Sequence, residues 1–352
     1  MGYHAGLMAG PHVESTRLQP FSSLAAARLS LTNKPVPSRI LAVAEYGYSL
    51  RLTEPAIGLE WCRLAAEVIT AELDPHQRSQ VLAYFANGLR VVGHYDEARE
   101  AIDRALAASP GAPFLLEIKG SLLRDIRQLD EAAECLQSAA MRRRAAGDLA
   151  GQARTILVIA QVMDESGDSR GASKYCLNAL DLLSAEVDPS GHLIRTTVQN
   201  YAGFLCNAGK PLEALHVLRT SEPILEGGGQ YFDLRVEWLY GRISASLREE
   251  SAEAKLSAVR DKLAAGGLIQ EAALATLDLA RYYVLVKDPR AADTALSVAP
   301  LLQTLGIERD AREAEILGKI AEAGKAFSDL EFLISELYGV VASRPDTRRR
   351  VA

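Results

Sequence analysis

The sequence predicts an all-α protein, an α-α superhelix in which about seven helical hairpins stack in a row. Three observations predict it. Small residues recur on a fixed ruler, large apolar residues keep step with them at helical intervals, and turn signals fall between the two.

The ruler is read from residues 93–110, GHYDEAREAIDRALAASP, where Ala98 and Ala105 lie seven apart and Ala86 lies twelve before Ala98. The same spacing fits Gly120, Ala132 and Ala139, then Ala160, Ala172 and Ala179, and further on Ala280, Ala292 and Ala299. Ala202 and Ala214 obey it too, with Ser221 in third place. Leu89, Leu123, Met163, Leu205 and Tyr283 each follow the first small residue by three, and Ile102, Leu136, Cys176, Leu218 and Leu296 follow the second by four. Intervals of three, four and seven belong to amphipathic helices, so each unit is a pair of them. Small residues let the two backbones cross closely, and the large neighbours fill the remaining gap. One hairpin leaves an apolar face bare, and stacking on the next covers it.

Taken in order, residues 1–37 form a flexible N-terminal segment with room for a first helix, and the solenoid runs over 38–342. Its first hairpin is SRILAVAEYGYSLRLTEPAIGLEWCRLAAEVITAEL, with Gly58, Cys62 and Ala65 in the second helix. The clear repeats are 79–112, 113–146, 153–186, 195–228 and 273–306. Their turns are marked by Gly93, Gly167, Gly209, KPLEA and KDPRAA, and a proline after a turn suits the first helical position, where no amide donor is lost. A degenerate hairpin lies between the last two, with Gly241 and Ala254 thirteen apart. ERDAREAEILGKIAEAG and FSDLEFLISELYGVVAS supply closing helices, the latter with a capping box from Ser328 and Glu331. Residues 325–342 are apolar enough to cap the array against its own last hairpin or another chain, which leaves the oligomeric state open, and 343–352 form a disordered basic tail.

The stretch FANGLRVVGHYDEAREAIDRALAASP resembles a tetratricopeptide repeat, and the interval from Ala98 to Ala132 is the 34 residues of that superfamily. The next intervals, to Ala172 and to Ala214, are 40 and 42, a departure that argues against a uniform pitch. The resemblance, to stand-alone bacterial-type members, implies a right-handed solenoid and lengthened repeats of the kind found in regulatory members. Chaperone-binding members use a carboxylate clamp in which a lysine precedes an asparagine by four. Here Ala83 precedes Asn87, so the resemblance does not extend to a chaperone-tail receptor.

A stacked array offers a concave surface lined by the first helix of each hairpin. At about 100° per residue, positions three before, one after and four after the first small residue share a stripe beside the packed face. The stripe yields Asn87, Arg90, Ser121, Arg124 and Gln161 as peptide-binding candidates. Arg90 and Arg124 hold one place in adjacent repeats, and guanidiniums bind carboxylates in bidentate fashion. The alternative is that they are solvated or pair with Glu117 and nearby acids. A second group, Tyr231, Phe232, Trp238 and Tyr240, either anchors a partner or packs the degenerate hairpin.

Other function classes find little support. A net charge of −6 argues against nucleic acid, and the runs Arg142–Arg144 and Arg348–Arg350 read as a solvated helix end and a tail. No secretory leader or membrane-spanning stretch is evident, and Gly6 stands where myristoylation wants Ser or Thr, so a cytoplasmic protein free of membrane is expected. Six histidines show no metal-ligand spacing, and the four cysteines, Cys62, Cys135, Cys176 and Cys206, form no CxxC pair, which suggests buried thiols. EGGGQ at 226–230 lacks a following Lys-Ser or Lys-Thr and reads as a helix terminator and flexible loop rather than a phosphate cradle. No cofactor, metal site or catalytic set is expected. The sequence therefore points to a non-catalytic scaffold or adaptor for a protein or extended peptide. The alternative is a peptide-sensing regulator that changes curvature, its break at LEGGGQ being compatible with that and its output passing through another protein.

Overall fold

The computed structural model describes residues 21–52 and 54–323. The expected capping box of Ser328 and Glu331, the apolar cap at 325–342, the run Arg348–Arg350 and the basic tail lie outside the described residues, as do Gly2 and Gly6. Every regular element among the described residues is helical. After α1 (Leu24–Asn33) come seven successive pairs: α2 (Pro37–Ser49) with α3 (Pro55–Glu67), α4 (Pro75–Val91) with α5 (Tyr95–Ala108), α6 (Pro113–Asp125) with α7 (Leu129–Ala145), α8 (Leu149–Glu165) with α9 (Ser169–Leu180), α10 (His192–Asn207) with α11 (Pro211–Thr220), α13 (Gln230–Ser246) with α14 (Ser251–Ala265), and α15 (Ile269–Val286) with α16 (Ala291–Thr304). The one-turn α12 (Glu222–Leu225) follows α11, and α17 (Glu308–Glu322) closes the described part.

Two compact units divide the chain. One holds the described residues up to Val162 with Asn178–Leu193, and the other holds Met163–Leu177 with the residues from Ile194 onward. In the N-terminal unit α2, α4 and α6 each pack on their own partner helix, and first helix also meets first helix, α2 on α4 and α4 on α6. In the C-terminal unit α13, α15 and α17 repeat that contact.

The small residues do what the ruler requires. Ala86, Ala98 and Ala105 are buried, and a Cβ added to Gly120 would come within 2.6 Å of Leu136, the large residue four past Ala132. In the first hairpin the crossing is tighter still: a Cβ on Gly47 would lie 2.6 Å from the carbonyl oxygen of Gly58. Gly47, in α2, pairs with the Gly58 that the sequence reading placed in the second helix.

Two registers differ from expectation. In α14 the buried small residue is Ala252, not the exposed Ala254, so Leu256 and Val259 fall four and seven later, where the ruler wants them. In α16 it is Ala291, at 2%, rather than the half-buried Ala292, and Leu296 leaves the hairpin core to lie against Gly318 of α17. Both turns are one residue shorter than the twelve-residue ruler allows. Pro289 accordingly sits in the turn before α16, whereas Pro211 does occupy the first position of α11.

The turns share one mechanism. The amide of His94 donates to the carbonyl of Leu89 at 2.9 Å, Asp168 to Met163 at 2.8 Å, and Lys210 to Leu205 at 2.9 Å. This six-to-one bond closes the first helix only if the residue before the donor is left-handed, and Gly93, Gly167 and Gly209 have φ of +85°, +97° and +75°.

Candidate functional site

The first helices carry a line of buried polar groups. In the N-terminal unit, Asn87 and Arg90 lie on α4, Ser121 and Arg124 on α6, and Gln161 on α8, all between 0% and 7% exposed. Arg90 donates Nε to Oδ1 of Asn87 at 3.0 Å and pairs through Nη1 with Asp125. Arg124 donates Nη2 to Oδ1 of Asp125 at 2.9 Å and Nη1 to Oε1 of Gln161 at 2.5 Å. A single buried carboxylate thus holds two guanidiniums from adjacent repeats. The structure links four of the five candidates, Asn87, Arg90, Arg124 and Gln161, through Asp125, which the stripe did not include, and Ser121 lies one turn before Arg124 on α6. The signal of Asp125 in the sequence was position: it follows Arg124 directly and so faces back toward Arg90 one repeat earlier.

One polar atom of the set is unspent. Asn87 is fully buried, its Oδ1 accepts from Arg90, and its Nδ2 has no hydrogen-bond partner among the described residues. Buried amide donors are rarely left so.

Glu117, the acid expected near the arginines, is taken by another residue. Arg143 on α7 grips it in bidentate fashion, Nε to Oε1 at 2.5 Å and Nη2 to Oε2 at 2.8 Å, and Thr155 on α8 adds a hydroxyl. Arg143 also pairs with Asp148. Burial alone would lower the pKa of Arg143, but its bonds to Glu117 and Asp148 outweigh that and raise it. The Arg142–Arg144 run is therefore not simply a solvated helix end: Arg142 and Arg144 are exposed, while Arg143, at i+11 from Ala132, turns inward to Glu117.

The C-terminal unit has its own ladder. Asp164 accepts from Nδ2 of Asn207 at 2.9 Å, and Arg242 donates to Oδ1 of Asn207 at 2.7 Å. Asp278 then receives Nε1 of Trp238 at 2.8 Å, Nη1 of Arg281 at 2.5 Å, and Nε of Arg242 at 3.4 Å. Arg281 continues to Glu313 with bonds of 2.6 and 2.8 Å. Arg242 sits one after Gly241, the same register position as Arg281, but the degenerate spacing of its hairpin hid it from the stripe.

The aromatic group resolves toward packing. Phe232 and Trp238 are buried, and Tyr231 donates its hydroxyl to Glu271 at 3.0 Å. Cys62, Cys176 and Cys206 are buried and Cys135 half-buried, all as free thiols, and burial pushes the Cys62 thiol up to about 12. The glycine segment separates α12 from α13, with Gly229 capping the latter at φ +89°. Among the described residues no group of three or more His, Cys, Asp and Glu is placed to hold a metal ion, and no helix is long and apolar enough to cross a membrane.

No protein-family profile matches the sequence. No curated protein matches it either. Solved structures do share the fold. A Rap protein complexed with competence and sporulation factor is similar at a TM-score of 0.64 and 13% identity, over 87% of this chain and 89% of that one. Aspartyl phosphate phosphatase F from Bacillus subtilis is similar at 0.57 and 13%, over 93% and 76%, and the apo form of RapI at 0.56 and 14%, over 81% and 97%. The fold is the all-α helical-repeat solenoid of tetratricopeptide type.

Proposed function

We propose that the chain is a non-catalytic scaffold or adaptor that binds a protein or an extended peptide along its first helices, with Asn87, Arg90, Ser121, Arg124 and Gln161 in the contact region. The observation that carries this reading is the unspent Nδ2 of Asn87 amid a line of polar side chains on successive first helices. Asn87 is itself buried, so a peptide carbonyl would satisfy this donor only on displacing the side chains that cover it, and a scaffold of stacked hairpins repeats such positions along a line. Free, buried cysteines fit a reducing, cytoplasmic setting.

The test is the chain tagged and recovered from the cells that make it, beside Asn87→Ala, with bound partners identified by mass spectrometry. Asn87→Ala is the right variant because Arg90 keeps Asp125, whereas charge reversal at Arg90 or Arg124 would set a new carboxylate against Asp125. A partner lost from Asn87→Ala at unchanged helical content supports the reading. A partner retained equally sinks it for these residues.

A second reading, a peptide-sensing regulator that works by changing curvature, is favoured by the likeness to a Rap protein complexed with competence and sporulation factor. A change in radius of gyration by small-angle scattering on adding a bound peptide separates it from a rigid scaffold.

A further inference from the structure

Gly203, in α10, is the one glycine inside a helix among the described residues that its surroundings do not require. Every other such glycine, Gly47, Gly120 and Gly241 among them, would bring an added Cβ to 3.3 Å or less from a neighbouring atom. A Cβ on Gly203 would meet none within 4 Å beyond its chain neighbours and its own helix backbone. Glycine in a helix interior is destabilising relative to alanine, so a glycine with room for a methyl group gives up stability that packing does not demand.

Gly203 follows Ala202 by one, the place that Asn87, Ser121, Gln161, Arg242 and Arg281 hold on other first helices, and Gln199, Gly203 and Cys206 are the three stripe positions of this hairpin. Residues three and four apart on a helix are neighbours, with about 5–6 Å between Cβ atoms, so Asn200 and Gln199 both border the space over Gly203. Both are buried, at 7% and 3% exposure, and each has an atom without a hydrogen-bond partner among the described residues: Nδ2 of Asn200, a donor, and Oε1 of Gln199, an acceptor. Helical side chains lean toward the N-terminus, so Asn207, one turn after Gly203, is the residue that would cover the space, but Asp164 and Arg242 hold its amide. Cys206, three after Gly203, lies against Ser246 of α13, Sγ to Oγ at 3.6 Å.

We propose that the space over Gly203 receives the carboxamide side chain of an asparagine or glutamine in an extended peptide, its NH2 donating to Oε1 of Gln199 and its carbonyl accepting from Nδ2 of Asn200. The inference rests on the peptide-binding reading above and adds to it a side-chain preference and a contact in the C-terminal unit. A carboxylate brings no donor to Gln199, an ammonium brings no acceptor to Asn200, and an apolar side chain leaves both buried and unbonded. Gln199 and Asn200 stand about 100° apart around α10, so a group with its donor and acceptor on different atoms spans them, where a hydroxyl presents both from one. Gly203 gives up helix stability to make room for that side chain, an exchange of stability for binding.

The experiment uses the immobilised full chain and four pools of nonapeptides, acetylated and N-methylamidated at their ends, random except that Asn and Gln are left out of every position but the centre. The centre is Asn or Gln in one pool, Asp or Glu in the second, Leu or Met in the third, and Ser or Thr in the fourth. Retention is read by mass spectrometry for the wild type, Gly203→Ala and Gln199→Met. The wild type is expected to hold the carboxamide pool about tenfold better than each of the others, and both variants should lose that preference. Gly203→Ala should at the same time raise the melting temperature by about 1–3 °C, which separates lost binding from a damaged fold. Equal retention of the four pools by the wild type, or a preference for another pool, overturns the inference and leaves peptide binding standing. A carboxamide preference kept by either variant overturns the assignment to this place. A lower melting temperature for Gly203→Ala overturns it too, because the space would then serve the chain itself by holding ordered water. Retention of no pool overturns both this inference and the peptide-binding reading.

Discussion

The two units lay polar residues along their first helices in the same way and connect them differently. In the C-terminal unit acids, amides and bases follow one another, Asp164, Asn207, Arg242, Asp278, Arg281 and Glu313, so that each is linked to the next by a hydrogen bond or ion pair. In the N-terminal unit Asp125 serves both Arg90 and Arg124, and Arg51 lies over the Tyr48 ring. The difference teaches that a buried ladder of charges and amides is a way of stacking repeats, whether its links share one hub or pass from residue to residue.

The largest effect expected from breaking this comparison is in the C-terminal ladder. Asp278→Ala takes one acceptor from each of Trp238, Arg242 and Arg281 in a buried site, and losing one partner of a buried pair costs about 3–5 kcal/mol. Asp125→Ala should cost less, about 2–3 kcal/mol, since Arg90 retains Asn87 and Arg124 retains Gln161. Urea denaturation of both variants checks the order. Equal and small losses, below about 1 kcal/mol, would mean that the ladders are solvated in practice.

The next test sharpens the comparison through pH. Burial pushes the Glu313 carboxyl up, but the charge and hydrogen bonds of Arg281 outweigh it, and the net shift is downward from 4.5. A depressed carboxylate contributes stability that is present above its unfolded pKa and lost as pH falls through its folded one. The wild type should therefore lose melting temperature as pH is taken from 6 to below about 4, with part of that loss absent in Arg281→Gln. Parallel profiles for the two proteins would remove Glu313 as a source of acid sensitivity.

How much of this was legible in the sequence depended on period. Hairpins with a twelve-residue offset gave their buried residues correctly, as Ala86, Ala98 and Ala105 or Gly120, Ala132 and Ala139 show. Where the turn lost a residue, at Ala252 and Ala291, the ruler slid by one or two places, because the offset fixes register only if the turn length is constant. The stripe found Asn87, Arg90, Ser121, Arg124 and Gln161 but left open whether they meet a peptide or pair with nearby acids, since periodicity states which face a residue occupies and not which charge across the repeat boundary meets it. Asp125 and Arg143 needed coordinates for that reason. The ring contacts of Tyr48 with Tyr84 and of Tyr84 with Phe114 join three helices whose aromatic residues hold no common register place, so no single spacing revealed them.

The smallest effect concerns the turns where the ruler slipped. Arg248 and Lys287 are left-handed at φ +58° and +59°, in the same place that Gly93, Gly167 and Gly209 fill elsewhere. Lys287 is exposed, and its amide bond to Val284 does not depend on the side chain. A residue with a Cβ costs about 1–2 kcal/mol in this conformation, and glycine gives back part of the gain through its greater freedom when unfolded. Lys287→Gly should therefore stabilise the C-terminal unit by about 0.5–1 kcal/mol, and Gly167→Ala, the reverse exchange at an equivalent turn, should destabilise by a similar amount. Both are read from urea midpoints at constant slope. If Lys287→Gly destabilises, the shortened turn is held by contacts of the lysine stem rather than tolerated despite the residue, and the eleven-residue offset becomes a specified feature of the last hairpins instead of a relaxed one.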